Sequence, residues 1–343
     1  MLKRRNQAIV QIGIALFLAV CCAVAPALAA PPPPPLVAVI LPRDNQRLQT
    51  IHASFQRHFD KFTTAVGKPR LYLQSPSPDL MSLRNSIRKA TALGADLIVV
   101  YGTRAATAAK LEDFTEPLIF ADVFDPVAMG LVPSQDRGAM LMTGVYGHAP
   151  LQTLLKSMQE TMGTIRLGVP VEAKYQAARL QAEVLGKMAC RRGSPADGSQ
   201  KPAAGELCWL EIVSAPLQTP NDVVKALKGM AGKIDAVYLS DLLPTDLHVA
   251  AALDYSAQAR LPVISQLHGS ADRGAFMTLE SDPEEQGELL SGVAIRILSG
   301  DLPEDVPPLL PRRISLIVNL KVARQLGIEV PFPVLLQTTR AIR

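Results

Sequence analysis

The chain has 343 residues, 48% hydrophobic and 19% charged, with 28 prolines and 5% aromatics. Its apolar fraction excludes a disordered chain, and its length suits two domains better than one. The formal charge of +4 and the four cysteines suggest a polyanionic partner or a zinc site, and both suggestions depend on the first thirty residues.

Lys3, Arg4 and Arg5 are followed by an apolar run from Ala8 to Ala25 and by the small-residue pattern Ala27-Leu28-Ala29. A basic start, an apolar stretch and a small-x-small ending predict a cleavable signal peptide over residues 1–29. A retained anchor is the alternative, since the run is nearly long enough to span a bilayer. Lipidation at Cys21 is disfavoured because bulky Val20 precedes it. Three of the 35 basic residues and none of the 31 acidic ones lie in this segment, so its removal takes the charge from +4 to +1. Cys21 and Cys22 leave with it, and a basic surface for nucleic acid is no longer indicated. Cys190 and Cys208 remain. They bracket a polar, glycine-containing stretch and predict a disulfide in an oxidising compartment, without the spacing of a metal site.

Residues 30–35 form a stiff proline-rich spacer. Leu36–Leu41 is a continuous apolar run of strand length. Leu48, Ile51, Phe55, Phe59, Phe62 and Val66 then mark one helical face, which Gly67 is expected to close. Leu71–Gln74 predicts a short strand, and Leu80, Leu83 and Ile87 a helix stopping at Gly94. Strands are predicted at Ala95–Tyr101, Pro117–Ala121, Thr143–Tyr146, Ile165–Val171, Leu207–Val213, Ile234–Ser240, Leu261–Gln266 and Ala275–Leu279. Helices are predicted at Ala173–Met188, Asp222–Met230, Thr245–Ala259 and Pro283–Leu298, with one more strand and helix from Ile314 before an irregular end. Such alternation specifies parallel sheets covered on both faces, and its length specifies two doubly wound lobes. The crossings between them are expected at Thr143–Pro150 and Gly269–Gly274. The expected division is residues 36–146 and 271–308 for lobe 1, 147–270 and 309–335 for lobe 2, and 336–343 for the tail.

Catalytic spacings are missing: there is no phosphate-binding glycine loop, no zinc-protease helix and no nucleophile elbow. Ser86-Ile87-Arg88-Lys89 matches Ser-x-x-Lys but lies within an amphipathic helix without companion motifs. The five histidines show no ligand spacing. No catalytic residue, metal or cofactor is indicated. Strand ends stand out instead. Gly102-Thr103 follows an apolar strand and precedes a short helical stretch, which suits either a small anion or an ordinary turn and cap. Asp122–Pro126 and Tyr238-Leu239-Ser240-Asp241 place carboxylates at two further strand ends, where they can meet a ligand ammonium or cap a helix.

Gly94-Ala95-Asp96-Leu97-Ile98-Val99, Gly102-Thr103, Phe120-Ala121, Asp125-Pro126-Val127 and Thr143-Gly144-Val145 resemble the tryptophan/tyrosine-type ABC transporter substrate-binding proteins. Ala259–Ile264, Glu285-Gln286-Gly287, Ile297–Gly300, Asn319–Ala323 and Leu326–Pro331 extend the likeness, in order, over about residues 36–335. The resemblance implies an α/β fold of two Rossmann-like lobes joined by a hinge, as in type I periplasmic binding proteins. It also implies an exported, periplasmic protein that captures a small, amino-acid-like ligand for an ABC permease and ATPase. A sensor feeding a signalling receptor, or less readily an enzyme on the same scaffold, is the alternative. Carried over by position, the family's binding elements fall on Gly102, Thr103, Asp125, Thr143 and Asp241. Arg104 stands where the family more usually has a small residue or proline, and a cation there suits an acidic ligand. Tyr101, Phe124, Tyr146 and Tyr238 flank the same strand ends, where they serve either packing or stacking on a flat or cationic ligand. The ligand-binding set expected is therefore Tyr101, Gly102, Thr103, Arg104, Phe124, Asp125, Thr143, Tyr146 and Asp241.

Overall fold

The architecture comes from a computed structural model, which describes residues 32–147, 149–163, 165–188, 210–240, 242–243 and 245–343. The signal segment, Cys190, Cys208, His148, Trp209 and Asp241 lie outside the described residues. In chain order the first elements are β1 (Leu36–Ile40), α1 (Gln46–Phe59), β2 (Arg70–Gln74), α2 (Leu80–Ala92), β3 (Leu97–Tyr101), α3 (Thr103–Ala109), β4 (Leu118–Val123) and β5 (Met142–Tyr146). Then come α4 (Leu151–Met162), β6 (Ile165–Glu172), α5 (Gln176–Met188), β7 (Leu210–Leu217), α6 (Val223–Met230), β8 (Ala236–Leu239), α7 (Asp246–Gln258) and β9 (Val263–Ser265). The last are β10 (Met277–Ser281), α8 (Pro283–Leu298), β11 (Ile314–Asn319), α9 (Leu320–Leu326), α10 (Phe332–Gln337) and β12 (Arg340–Ile342).

Two doubly wound sheets form, one per lobe, as the strand–helix alternation predicts. The first has five parallel strands in the order β2-β1-β3-β4-β5. Helices cover both of its faces, so β3 is buried at every residue and β1 at all but its first, which is why both are unbroken apolar runs. The second sheet runs β12-β11-β10-β9-β8-β6-β7, parallel except where β10 meets β11. The strand order reverses direction between β1 and β3 in one lobe and between β6 and β8 in the other. Loops leaving those strand ends diverge to opposite faces and open a crevice. The two crevices face each other.

Three expectations are corrected. The span 271–308 was expected in lobe 1, yet β10 pairs with β9 and β11 in the second sheet. α8 returns to the first lobe, where it packs along α1, and the segment after it stays there through Val306 and Leu309, so this crossing falls at Ser281–Asp282 rather than at Gly269–Gly274. Gly287 permits that packing: a Cβ there would lie 2.3 Å from the Ile51 carbonyl oxygen and 2.5 Å from Ser54 Cβ. Next, α1 stops at Phe59, seven residues before Val66, and Gly67 sits in a turn closed by Thr64 rather than capping the helix. Phe62 still packs on the core from that turn, so its apolar spacing mimicked a continued helix. Last, the tail expected to be irregular holds α10 and β12, and β12 pairs with β11 in parallel.

A polar knot ties the crossings together. Arg47 on α1, with its side chain only 10% exposed, donates to Asp122 Oδ1 at 2.9 Å. It also donates to the Ser281 carbonyl (3.0 Å), Ser281 Oγ (2.8 Å) and the Gly147 carbonyl (3.2 Å). Gln286 Nε2 adds a bond to Ser281 Oγ at 2.9 Å. One guanidinium thus joins the end of β4 to two of the crossing segments, a task suited to its planar set of donors.

Candidate ligand-binding site

The facing crevices enclose a cavity of about 50 Å³. Lobe 1 lines it with Pro42 and Asn45 after β1, with Tyr101, Gly102, Thr103 and Arg104 at the end of β3, and with Asp122 at the end of β4. Lobe 2 contributes Tyr175 after β6 and Leu242 and Leu243 after β8. Each side is therefore built at its own switch point. The lobes also touch at the rim: Asp246, the first residue of α7, accepts from the Gln46 N–H at 2.9 Å and donates its own N–H to the Asp44 carbonyl at 3.1 Å.

Four of the expected residues line the cavity: Tyr101, Gly102, Thr103 and Arg104. Gly102 holds φ +85° and ψ 155°, a region reserved for glycine, so the chain turns from β3 into α3 without a side chain. Thr103 Oγ1 accepts the Phe124 N–H at 2.8 Å and thereby pins the loop after β4. Phe124 and Asp125 are not among the lining residues. Phe124 is buried in the core, and the Asp125 carboxylate caps its own turn by accepting the Ala128 N–H at 3.0 Å. Thr143 is wholly buried and donates to the Val306 carbonyl at 2.6 Å, holding β5 to the segment after α8. Tyr146 and Tyr238 are core side chains, 1% and 0% exposed. Burial and the Asp125 charge push the Tyr146 phenol up to about 12, so it stays neutral. Ser86 donates to the Ser82 carbonyl within α2, which leaves Ser-x-x-Lys a helical coincidence. Among the described residues no cluster of His, Cys, Asp or Glu is arranged to hold a metal ion.

The side chain that dominates the cavity is Arg104. Its guanidinium crosses from lobe 1 to an ion pair with Glu172, the last residue of β6, with Nη1 3.5 Å from Oε1. It stacks on the Tyr175 ring, 4.0 Å from the centroid, and donates to the Leu242 carbonyl at 3.4 Å. The Nε–H is buried without a partner, a loss of about 1–3 kcal/mol for an orphaned donor. The charge of Arg104, expected to suit an acidic ligand, is met here by Glu172. Behind the cavity wall, Tyr101 Oη lies 3.0 Å from His52 Nδ1, and the two rings meet edge to face at 5.4 Å. Burial lowers His52 to about 4 and holds it neutral.

Glu172, Tyr175, Leu242 and Asn45 were not among the residues expected. The signal that finds them is positional: each ends or follows a strand at a switch point. Their identities carry no motif, which is why side-chain chemistry alone passes over them.

Two facing α/β crevices that share one small cavity define a two-lobed solute-binding protein. The chain matches the sequence profile described as "ABC transporter substrate binding protein" over residues 37–342 and belongs to that family, whose members bind substrates and are not enzymes. It is 22% identical over 265 residues to a tyrosine-binding protein of Clostridioides difficile strain R20291, covering 76% of this chain and 71% of that one. Among solved structures it resembles the ABC domain from Streptococcus pneumoniae in complex with L-Trp, with a TM-score of 0.78, 18% identity, and 90% and 100% of the two chains covered. A conserved domain protein from Vibrio cholerae gives a TM-score of 0.77 at 21% identity, covering 90% of this chain and 99% of that one.

Proposed function

We propose that the protein captures a small, amino-acid-like solute between its lobes and passes it to an ABC permease and ATPase from outside the cytoplasm, exported by residues 1–29. The observation that carries this reading is the Arg104–Glu172 ion pair, which joins the two lobes beside the cavity that Arg104 lines. A zwitterion brings one charge of each sign and leaves the cleft neutral, whereas an ion of single charge leaves a partly buried group unmatched. Relatives described as binding tyrosine or tryptophan support the same class. Binding to residues from both lobes favours the closed arrangement over the open one, and the permease recognises the closed form.

A thermal-shift screen of amino acids, with sugars as controls, tests the proposal. A specific solute raises stability by mass action, about 2.7 kcal/mol at a hundredfold excess over Kd. A shift confined to sugars, or no shift from any amino acid, rejects the amino-acid-like class.

A further inference from the structure

Lobe 2 presents three electron-rich groups to one spot in the cleft: the Glu172 carboxylate, the Tyr175 ring face and the Leu242 carbonyl oxygen. That trio is a receptor for a cation, since the carboxylate supplies charge, the ring supplies a quadrupole and the carbonyl supplies direction. The group now filling it comes from lobe 1 of the same chain. Arg104 is an incompletely satisfied occupant: its Nε–H is buried and unpaired, and the residue lines a cavity of about 50 Å³. That space holds a few water molecules and no amino acid. A solute of that size must displace part of the lining, and Arg104 is the lining side chain that reaches across to the other lobe.

We propose that Glu172, Tyr175 and the Leu242 carbonyl form a cation subsite that Arg104 occupies in the closed cleft and that a cationic group of the solute takes over on binding. This rests on the solute-binding reading above and narrows it: the solute carries an ammonium or guanidinium, and Glu172 and Tyr175 determine specificity. Displaced from lobe 2, Arg104 is released to meet the solute's carboxylate or water, so one internal ion pair is exchanged for contacts to the solute. Arg104 thereby acts as an internal competitor, setting a threshold that a solute without a positive group does not cross.

The subsite is tested without knowing the solute. Arg104→Ala vacates it, and millimolar methylguanidinium should then raise the unfolding midpoint saturably. The same probe should do nothing for the parent protein, where the place is taken, or for Arg104→Ala/Glu172→Gln. Arg104→Met, closer in volume, repeats the test should the alanine variant fold poorly. No saturable response in either single variant, or an equal response in the Glu172→Gln double variant, overturns the subsite. Calorimetry on the parent protein with L-tryptophan, tryptamine and indole-3-propionate, and with the matching tyrosine series, reads solute specificity. Loss of the amino group should weaken binding by at least about tenfold more than loss of the carboxylate, since a charge-assisted partner is left unmet. An acid that binds as tightly as its amine overturns the cation subsite and leaves the solute-binding reading standing. Methylguanidinium rescue with no response to any solute supports the subsite and counts against the amino-acid-like solute instead.

Discussion

His52 shows how one side chain ties burial to pH. Its ordinary value of 6.5 falls to about 4 in the fold because the ring is taken out of water. Above pH 6.5 it is neutral folded or unfolded. As pH falls from 6.5 towards 4, the unfolded chain takes up a proton that the folded chain refuses. Stability therefore falls over that window and this contribution levels off below it, by about 3 kcal/mol in all. Urea unfolding of the parent and of His52→Gln at pH 7, 5.5 and 4.5 should show the steeper decline in the parent. Equal slopes would mean the ring is solvated. His52 is also a lesson in reading residues. It lies one turn from Leu48 on the buried face of α1. Its partner Tyr101 was not visible in the spacing, because 49 residues separate them.

At the scale of elements, α1 and α8 approach through Gly287. Gly287→Ala places a methyl group 2.3 Å from the Ile51 carbonyl oxygen, which is backbone and cannot swing aside. The helices must separate, and stability should drop by about 1–3 kcal/mol, as overpacked interfaces do. Denaturant titration checks this; an unchanged midpoint would show that α8 shifts without penalty. Most elements were legible in the sequence because apolar period distinguishes strand from helix. Pro283–Leu298 was read to the residue, and the structure gives it an Asp282 cap and a proline at the first helical position. The end of α1 was not, since Phe62 packs on the core from a turn at nearly helical spacing. Nor was the sheet that β10 joins. Met277–Ser281 is buried throughout, and a fully buried strand carries no mark of which neighbours bury it.

For the whole molecule, the question is what sets the two lobes against each other. Arg47 reaches Asp122, Ser281 and Gly147 with one side chain. Arg47→Met should leave the Asp122 carboxylate, 16% exposed, without its counter-ion and should destabilise the protein by about 3–5 kcal/mol. Arg47→Lys should recover only part of that, since an ammonium cannot span acceptors on separate segments. Thermal unfolding of both variants provides the check. Full recovery by lysine would reduce the knot to a simple ion pair. The cleft itself was half legible. Gly102, Thr103 and Arg104 follow an obvious strand and were singled out. Asp125 and Thr143, singled out on resemblance, and Tyr146, singled out as an aromatic at a strand end, cap a turn, tie β5 to the segment after α8 and fill the core of lobe 1, respectively. On the opposite lobe, Tyr175 in the lining and Glu172, the ion-pair partner of Arg104, belong to a stretch without any motif.

By itself, then, the sequence determined the α/β class, the two-lobed organisation and the strand ends from which a cleft is made. These follow from local regularities: apolar period, chain turns and the order of strands and helices. Only the tertiary structure decided that Arg104 spends its charge on Glu172 across the cleft, that Thr143 faces the core and that β10 belongs to the second lobe. Each of those depends on which distant residue arrives opposite, and the pairing of residues 68 or 163 positions apart leaves no trace in the spacing around either one.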